Sequence, residues 1–139
     1  MRLSLGFAIV LLVALEPREA SSEPAQEREY HPEPRVIVNV LSVQGPHERE
    51  AVQRAARNAW GRIVSCYKSV GQRKRGSVEL ELTISADGRV PSARRSGGSL
   101  ENPDLAACLA GVMKRVEMPA ARARSRALTE IELGPGDAS

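Results

Sequence analysis

The sequence predicts an α+β fold in which two helices pack on one face of a small antiparallel sheet, in the order β-α-β-β-α-β. Apolar and polar residues alternate without a break along 78–85, which is the period of a strand with one buried face. Two segments with apolar residues spaced as on one side of a helix, 47–70 and 102–116, flank that strand. A hairpin is marginal alone and needs such an apolar layer across its inner face.

The composition limits the core and leaves the charge uneven. Only 3% of the residues are aromatic, so the core is aliphatic and modest, and a small core of this kind often needs a cross-link. Residues 16–35 hold six Glu against three Arg, a net charge of −3, whereas 36–139 hold sixteen Lys and Arg against eleven Asp and Glu, a net charge of +5. This mild basic excess suits an acidic partner or an envelope surface as well as nucleic acid.

The N-terminal region predicts export. Arg2 precedes thirteen mostly apolar residues, 3–15, which is typical of a secretory signal and too short for a membrane span of about 20 residues. The alternative is an uncleaved signal that stays as a membrane anchor. The sequence therefore divides into a signal peptide (1–22), a disordered acidic, proline-rich tether (23–35), one domain (36–133) and a flexible tail (134–139).

The first half of the domain predicts a strand and one long helix. Residues 35–43, RVIVNVLSV, are β-branched and apolar, which favours a strand. Pro46 suits the first turn of a helix that we expect over 47–70, and Gly71 suits its end. The expected buried face of this helix consists of Val52, Ala56, Ala59, Ile63, Cys66 and Val70.

The second half predicts a hairpin, a helix and a last strand. Asp87-Gly88 predicts a two-residue turn after the strand from Gly76, with Arg89-Val90 beginning the returning strand and 96–99 forming a flexible turn. Asn102 then predicts an N-cap with Pro103 at the first helical position. The remaining expected features are the apolar helix face of Leu105, Cys108, Leu109, Val112 and Val116, a stop at Met118-Pro119, and a final strand over 127–133.

The two cysteines predict a disulfide. Cys66 and Cys108 each lie on the apolar face of a different helix, and their sulfurs can meet if both helices cover the same face of the sheet. An oxidising compartment favours the bridge, whereas two buried free thiols are the alternative. The bridge would contribute roughly 4 kcal/mol to the free energy of unfolding, because it restricts the conformational entropy of the unfolded chain.

We expect neither a metal site, a cofactor nor a catalytic centre. His31, His47 and the cysteines lack the paired spacing that zinc requires, and both histidines are most simply solvated. No nucleophile motif is present. Glu79 and Glu81 share a strand face, which is compatible with acid–base chemistry but more typical of solvated carboxylates.

Basic residues cluster at several places in the domain. Nucleic acid is not the expected partner, because single-strand binders add aromatic stacking platforms and the chain has few aromatic residues. A solvated face, or one that binds an anionic surface weakly, accounts better for them. The predicted basic surface consists of Arg73, Lys74, Arg75, Arg94, Arg95, Arg122 and Arg124.

The hairpin and the cysteines resemble a known family. The stretch 76–90, GSVELELTISADGRV, resembles the Gly-x-Val-x-Val-x-Phe-x-Ile-x-x-x-Gly-x-Val hairpin of TonB C-terminal domains. The turn at 96–99, the following helix and Met118-Pro119, where that family usually has Phe-Pro, extend the match. Cys66-Tyr67 and the second cysteine, Cys108, resemble the C-terminal domain of the AgmX/PglI proteins of myxobacteria, which are linked to gliding motility.

The resemblance covers 36–133 and implies a periplasmic, non-enzymatic module of the bacterial envelope. By analogy with TonB domains, an envelope protein would add an extended segment to an edge of the sheet formed by the final strand. The residues expected to contact it are Arg126, Leu128, Thr129, Glu130 and Ile131. One alternative is that the strand at 35–43 already covers this edge. The other is a small structural or cell-wall-binding protein that uses its basic surface.

Overall fold

The computed structural model describes Gly6 and residues 33–136. The latter belong to one compact unit, His31–Ser139, and the other unit is Met1–Tyr30. The predicted signal peptide and most of the predicted tether lie outside the described residues. No helix within the described part is long and apolar enough to cross a membrane. The elements are β1 (Arg35–Gln44), α1 (Arg49–Arg57), α2 (Trp60–Val70), β2 (Gly76–Ile84), β3 (Ser92–Gly97), α3 (Pro103–Lys114) and β4 (Ser125–Gly134).

The four strands form one antiparallel sheet in the order β1-β4-β2-β3, which confirms the predicted fold class. One face of the sheet carries the core beneath the helices, and the alternation predicted for β2 is observed, with its even-numbered residues from 78 to 84 buried. The sheet residues of this core are Val38, Val40, Val78, Leu80, Leu82, Ile84, Ala93, Ala127, Ile131 and Leu133. The opposite face carries the polar residues of the same strands.

The single helix predicted over 47–70 is wrong, because the chain forms α1 and α2 with a break at Asn58 and Ala59. Ala59 has ψ of 4°, outside the helical range, and its N–H bonds to the carbonyl of Ala56 at 3.1 Å, three residues back rather than four. The break leaves the buried face intact, since Val52, Ala56, Ala59 and Ile63 are all buried. Burial of one continuous face therefore persists through a local change in the helix.

The prediction of a two-residue hairpin turn at Asp87-Gly88 is also wrong. Ser85 N–H bonds to the carbonyl of Arg89 at 2.8 Å, but Pro91 has no N–H to continue the pairing, and β3 begins at Ser92. Gly88, at φ +89°, lies so close to the main chain of Met118 that a Cβ would not fit. The connection is thus longer than expected and packs on the segment after α3, while part of the predicted flexible turn at 96–99 belongs to β3.

The start of α3 follows the sequence prediction. The Asn102 side chain accepts a hydrogen bond from Leu105 N–H at 3.1 Å, and Pro103 occupies the first helical position. Asn102 Nδ2 also donates to the carbonyl of Val70 at 2.7 Å, at the last residue of α2. The same side chain therefore caps α3 and ties its N-terminus to the C-terminus of α2.

Candidate interaction surfaces

A disulfide between Cys66 of α2 and Cys108 of α3 confirms the predicted pairing. The bridge joins residues 42 positions apart, and their Cα atoms are separated by 5.8 Å. Cys66 lies in the core together with Tyr67, which follows it in the chain. The bridge therefore fixes the two helices to each other over the same face of the sheet.

The final strand is not an edge, so the predicted edge position is wrong. β4 pairs with β1 on one side and with β2 on the other. The strand at 35–43 therefore covers this side of β4, as the alternative interpretation of the sequence had it. Thr129 and Ile131 are 0% exposed and face the helices. Leu128 and Glu130 are half-buried, and Arg126 is exposed with its Nη2 3.8 Å from Glu81 Oε1. With both sides of its main chain paired, β4 has no vacancy for a further strand.

The outer edge of β1 is closed at its middle. Val40 N–H lies 3.4 Å from Gln53 Oε1, and the Val40 carbonyl accepts from Arg49 Nε at 2.8 Å. Both partners belong to α1, so the helix covers the main-chain groups that Val40 directs away from β4. Val38, two residues earlier on the same side of the strand, is buried. These side chains close the edge to an incoming strand, as edge strands of stable sheets commonly are.

The outer edge of β3 is different, and the direction of its main-chain groups follows from β2. The Ser77 carbonyl accepts a hydrogen bond from Leu100 N–H at 3.0 Å, and Ser85 N–H donates to the Arg89 carbonyl at 2.8 Å. The main-chain N–H and C=O groups of the odd-numbered residues of β2 therefore point toward β3. Since Glu81 pairs with Arg94, alternation directs the N–H and C=O groups of Ala93 and Arg95 to the free edge.

This edge is accessible from Arg94 to Ser96, whereas Ala93 is buried. Arg94, Arg95 and Ser96 are all exposed, and the register shifts beside Leu80, so that β3 is bulged at Ser96. Arg95 Nη2 turns back along the chain to donate to the carbonyls of Gly98 at 3.0 Å and Leu100 at 3.2 Å. Among the strands that the structure describes, β3 therefore presents the accessible edge.

The predicted basic residues do not form one surface. Arg73, Lys74 and Arg75 lie in the loop that precedes Gly76, at one end of the sheet. The segment of Arg122 and Arg124 precedes Ser125, which pairs with Ile84 at the opposite end. Arg94 and Arg95 lie on β3, where Arg94 Nη2 is 3.2 Å from Glu81 Oε1. A long anionic polymer would therefore not find a continuous basic track on these groups.

The carboxylates considered for acid–base chemistry lie on the open face of the sheet. Glu81 Oε1 accepts a hydrogen bond from Arg94 Nη2 at 3.2 Å, whereas Glu79 has Glu130 of β4 as its direct cross-strand neighbour. Within residues 33–136, no group of three or more His, Cys, Asp or Glu residues could hold a metal ion. His31, the other histidine considered as a ligand, lies outside the described residues.

His47 was expected to be solvated, and this expectation is wrong. His47 is only 4% exposed, its main-chain N–H donates to Ser125 Oγ at 3.1 Å, and its Nδ1 lies 2.6 Å from the same oxygen. Its Nε2 is buried without a hydrogen-bond partner among the described residues. Ser125 is itself buried, so the pair joins the start of β4 to the segment before α1. Sequence reasoning missed this pair because its members are 78 positions apart.

Comparison with known proteins adds no relative: no family model, curated protein or solved structure matches this chain. The likeness to TonB C-terminal and AgmX/PglI domains stays a prediction from the hairpin and cysteine motifs. The α+β fold and the disulfide stand on the strand pairing and the cysteine geometry described above.

Proposed function

We propose that this domain is a non-enzymatic protein-binding module of the bacterial envelope, and that it captures an extended segment of a partner protein on the free edge of β3. The observation that carries the proposal is the direction of the Ala93 and Arg95 main-chain groups, which point away from β2 on a strand that is exposed from Arg94 to Ser96. Unpaired N–H and C=O groups in a row are a template for strand addition.

The side chains on this edge favour an acidic segment. Arg94 and Arg95 are consecutive, so their side chains lie on opposite faces of β3, and a carboxylate on either face of an added strand would have one guanidinium group nearby. Charge complementarity of this kind selects among partners and speeds association more than it raises affinity. Main-chain hydrogen bonds would supply most of the affinity, and the arginines would bias the choice of partner.

The envelope setting is supported by the disulfide and by the N-terminal sequence. A bridge between Cys66 and Cys108 forms and persists in oxidising compartments such as the periplasm. The basic residue and apolar run at 2–15 fit an export signal. Together these features support a periplasmic or secreted protein, and the resemblance to AgmX/PglI domains suggests a motility system as one setting.

The test compares two substitutions at one position. Arg95→Pro removes the N–H that faces the free edge, whereas Arg95→Ala keeps that N–H and removes only the side chain. Tagged full-length wild-type protein and both variants are used to capture partners from periplasmic extract, followed by mass spectrometry. We expect one protein to be retained by the wild type and, more weakly, by Arg95→Ala, and to be lost with Arg95→Pro.

Hydrogen exchange on the purified complex supplies the second readout. Amide exchange at Ala93 and Arg95 should slow when the partner is bound, while the amides of Val36 and Val38 on the other edge serve as the internal reference. Circular dichroism and intact-disulfide mass confirm that each variant is folded. Equal capture by folded Arg95→Pro and Arg95→Ala, with unchanged exchange on β3, would exclude strand addition at this edge.

A further inference from the structure

A second surface lies at the end of α2, away from the β3 edge. There the loop between α2 and β2 meets the residues that enter β1 and leave β4, and a cleft of about 530 Å³ opens between them. This volume is within the range of about 300–1,000 Å³ that holds a small ligand or a few side chains. The cleft is lined by Pro34, Tyr67, Lys68, Ser69, Gln72, Arg73, Pro135 and Gly136.

The loop at the rim of this cleft is held in an uncommon conformation. Gln72 and Arg73 have φ of 54° and 58°, in the left-handed region of backbone conformation that residues other than Gly rarely adopt. Tyr67 Oη donates to the carbonyl of Lys74 at 2.8 Å, and the Tyr67 ring lies so close to Gly71 that a Cβ there would not fit. The buried tyrosine therefore fastens both ends of the loop and positions Arg73 at the rim.

The rim carries positive charge and already holds a carboxylate. Lys68 and Arg73 both line the cleft. Glu33, the first described residue of the domain's N-terminal segment, has its Oε2 3.3 Å from Lys68 Nζ. The Lys68 and Glu33 side chains are 55% and 63% exposed, so this ion pair is weak and another carboxylate can exchange for Glu33.

We propose that this cleft binds an acidic peptide segment of a partner protein, with one carboxylate replacing Glu33 on Lys68 and another reaching Arg73. A peptide suits the cleft because Pro34 and Pro135 add apolar surface beside the cationic groups, and because Glu33-Pro34 is itself a peptide seated at the rim. The site is separate from the β3 edge and does not depend on strand addition.

The test measures binding of a fluorescein-labelled hexaglutamate peptide to the full-length protein by anisotropy at low ionic strength. Glu33→Gln removes the competing carboxylate and should raise the affinity about two- to fivefold, while Lys68→Gln should lower it by a similar factor. Arg73→Glu reverses a charge at the rim and should lower the affinity about tenfold.

The matched control is Arg124→Glu, an exposed arginine at the opposite end of the sheet that gives the same change in net charge. The comparison is made in the Arg95→Pro background, which removes strand addition at the β3 edge, and affinity that falls with Arg73→Glu but not with Arg124→Glu supports the cleft as the site. Equal weakening by Arg124→Glu and Arg73→Glu would mean general charge attraction and overturn the proposal, as would no measurable binding or no gain with Glu33→Gln. Linear polyphosphate of equal charge binding as tightly as the peptide would indicate an unspecific anion site and would also overturn it.

Discussion

Cys66 and Cys108 join α2 to α3 by a disulfide, with their Cα atoms 5.8 Å apart, over a core that is almost entirely aliphatic. The helices belong to different halves of the chain, and 42 positions separate the two cysteines. Closing a loop of that length restricts the unfolded chain and stabilises the folded one. The bridge therefore compensates for a core that contains few large aromatic side chains.

We predict that replacing both cysteines with alanine lowers the free energy of unfolding by about 2–5 kcal/mol, as is typical of native bridges in small secreted domains. Urea unfolding of the double variant and of the oxidised wild type measures the difference. Alkylation of denatured, unreduced protein should label neither cysteine. Full labelling of both in material taken from the periplasm would contradict the bridge.

The pair of His47 and Ser125 gives a second prediction. Ser125 Oγ bonds both to the main-chain N–H and to the Nδ1 of His47, and all of these atoms lie in buried residues. Ser125→Ala leaves two buried polar groups without their partner and should cost about 1–3 kcal/mol. Ser65→Ala, at an exposed serine of α2, is the control and should change stability by less than about 0.5 kcal/mol. A Ser125→Ala cost no larger than that of the control would show the pair to be unimportant.

Local patterns in the sequence predicted the elements whose residues interact with near neighbours. The unbroken alternation in β2 and the Asn102 cap of α3 are both observed, because each depends on a few consecutive residues. The cysteine pairing was predictable as well, since Cys66 and Cys108 lie on helix faces that must cover one sheet. These features need no knowledge of strand order.

The strand order itself is not encoded in a local pattern. The alternation in β4 is the same whether one neighbour or two pair with it, and only the structure shows β1 beside it. β3 carries the consecutive polar residues 94–96, because an edge strand can expose them, and so it lacked the alternation that marks a strand. His47 was missed for a related reason, since its burial depends on the distant Ser125.

Thr129 provides a test of the interior position of β4. Its side chain is 0% exposed, and its Oγ1 finds no hydrogen-bond partner within the described residues. Thr129→Val replaces this hydroxyl with a methyl group of similar shape and should raise the free energy of unfolding by about 1 kcal/mol. Thr83→Val, on the open face of β2, is the control and should have little effect. Destabilisation by Thr129→Val in urea unfolding would mean that the hydroxyl has a partner.

Tyr67 links the stability of the domain to pH. Burial raises the pKa of the Tyr67 hydroxyl above its ordinary value of 10.0, against the opposing charges of Arg73 and then Arg75. The folded protein therefore keeps this proton at a pH where the unfolded chain has lost it. The contribution of the protonated hydroxyl to the free energy of unfolding is complete below pH 10.0 and declines as pH rises toward the folded pKa.

Tyr67→Phe should lower the free energy of unfolding by about 1 kcal/mol near neutral pH, because the hydrogen bond to the Lys74 carbonyl is lost. The variant has no phenol to ionise, so wild type should lose more stability than the variant between about pH 8 and pH 11. Urea unfolding of both proteins at each pH, with the disulfide intact, measures the difference in the free energy of unfolding between wild type and variant, and this difference should become smaller as pH rises. A difference that stays constant with pH would show that the hydroxyl titrates alike in the folded and unfolded chain, and one that widens would show that folding lowers the pKa of this hydroxyl.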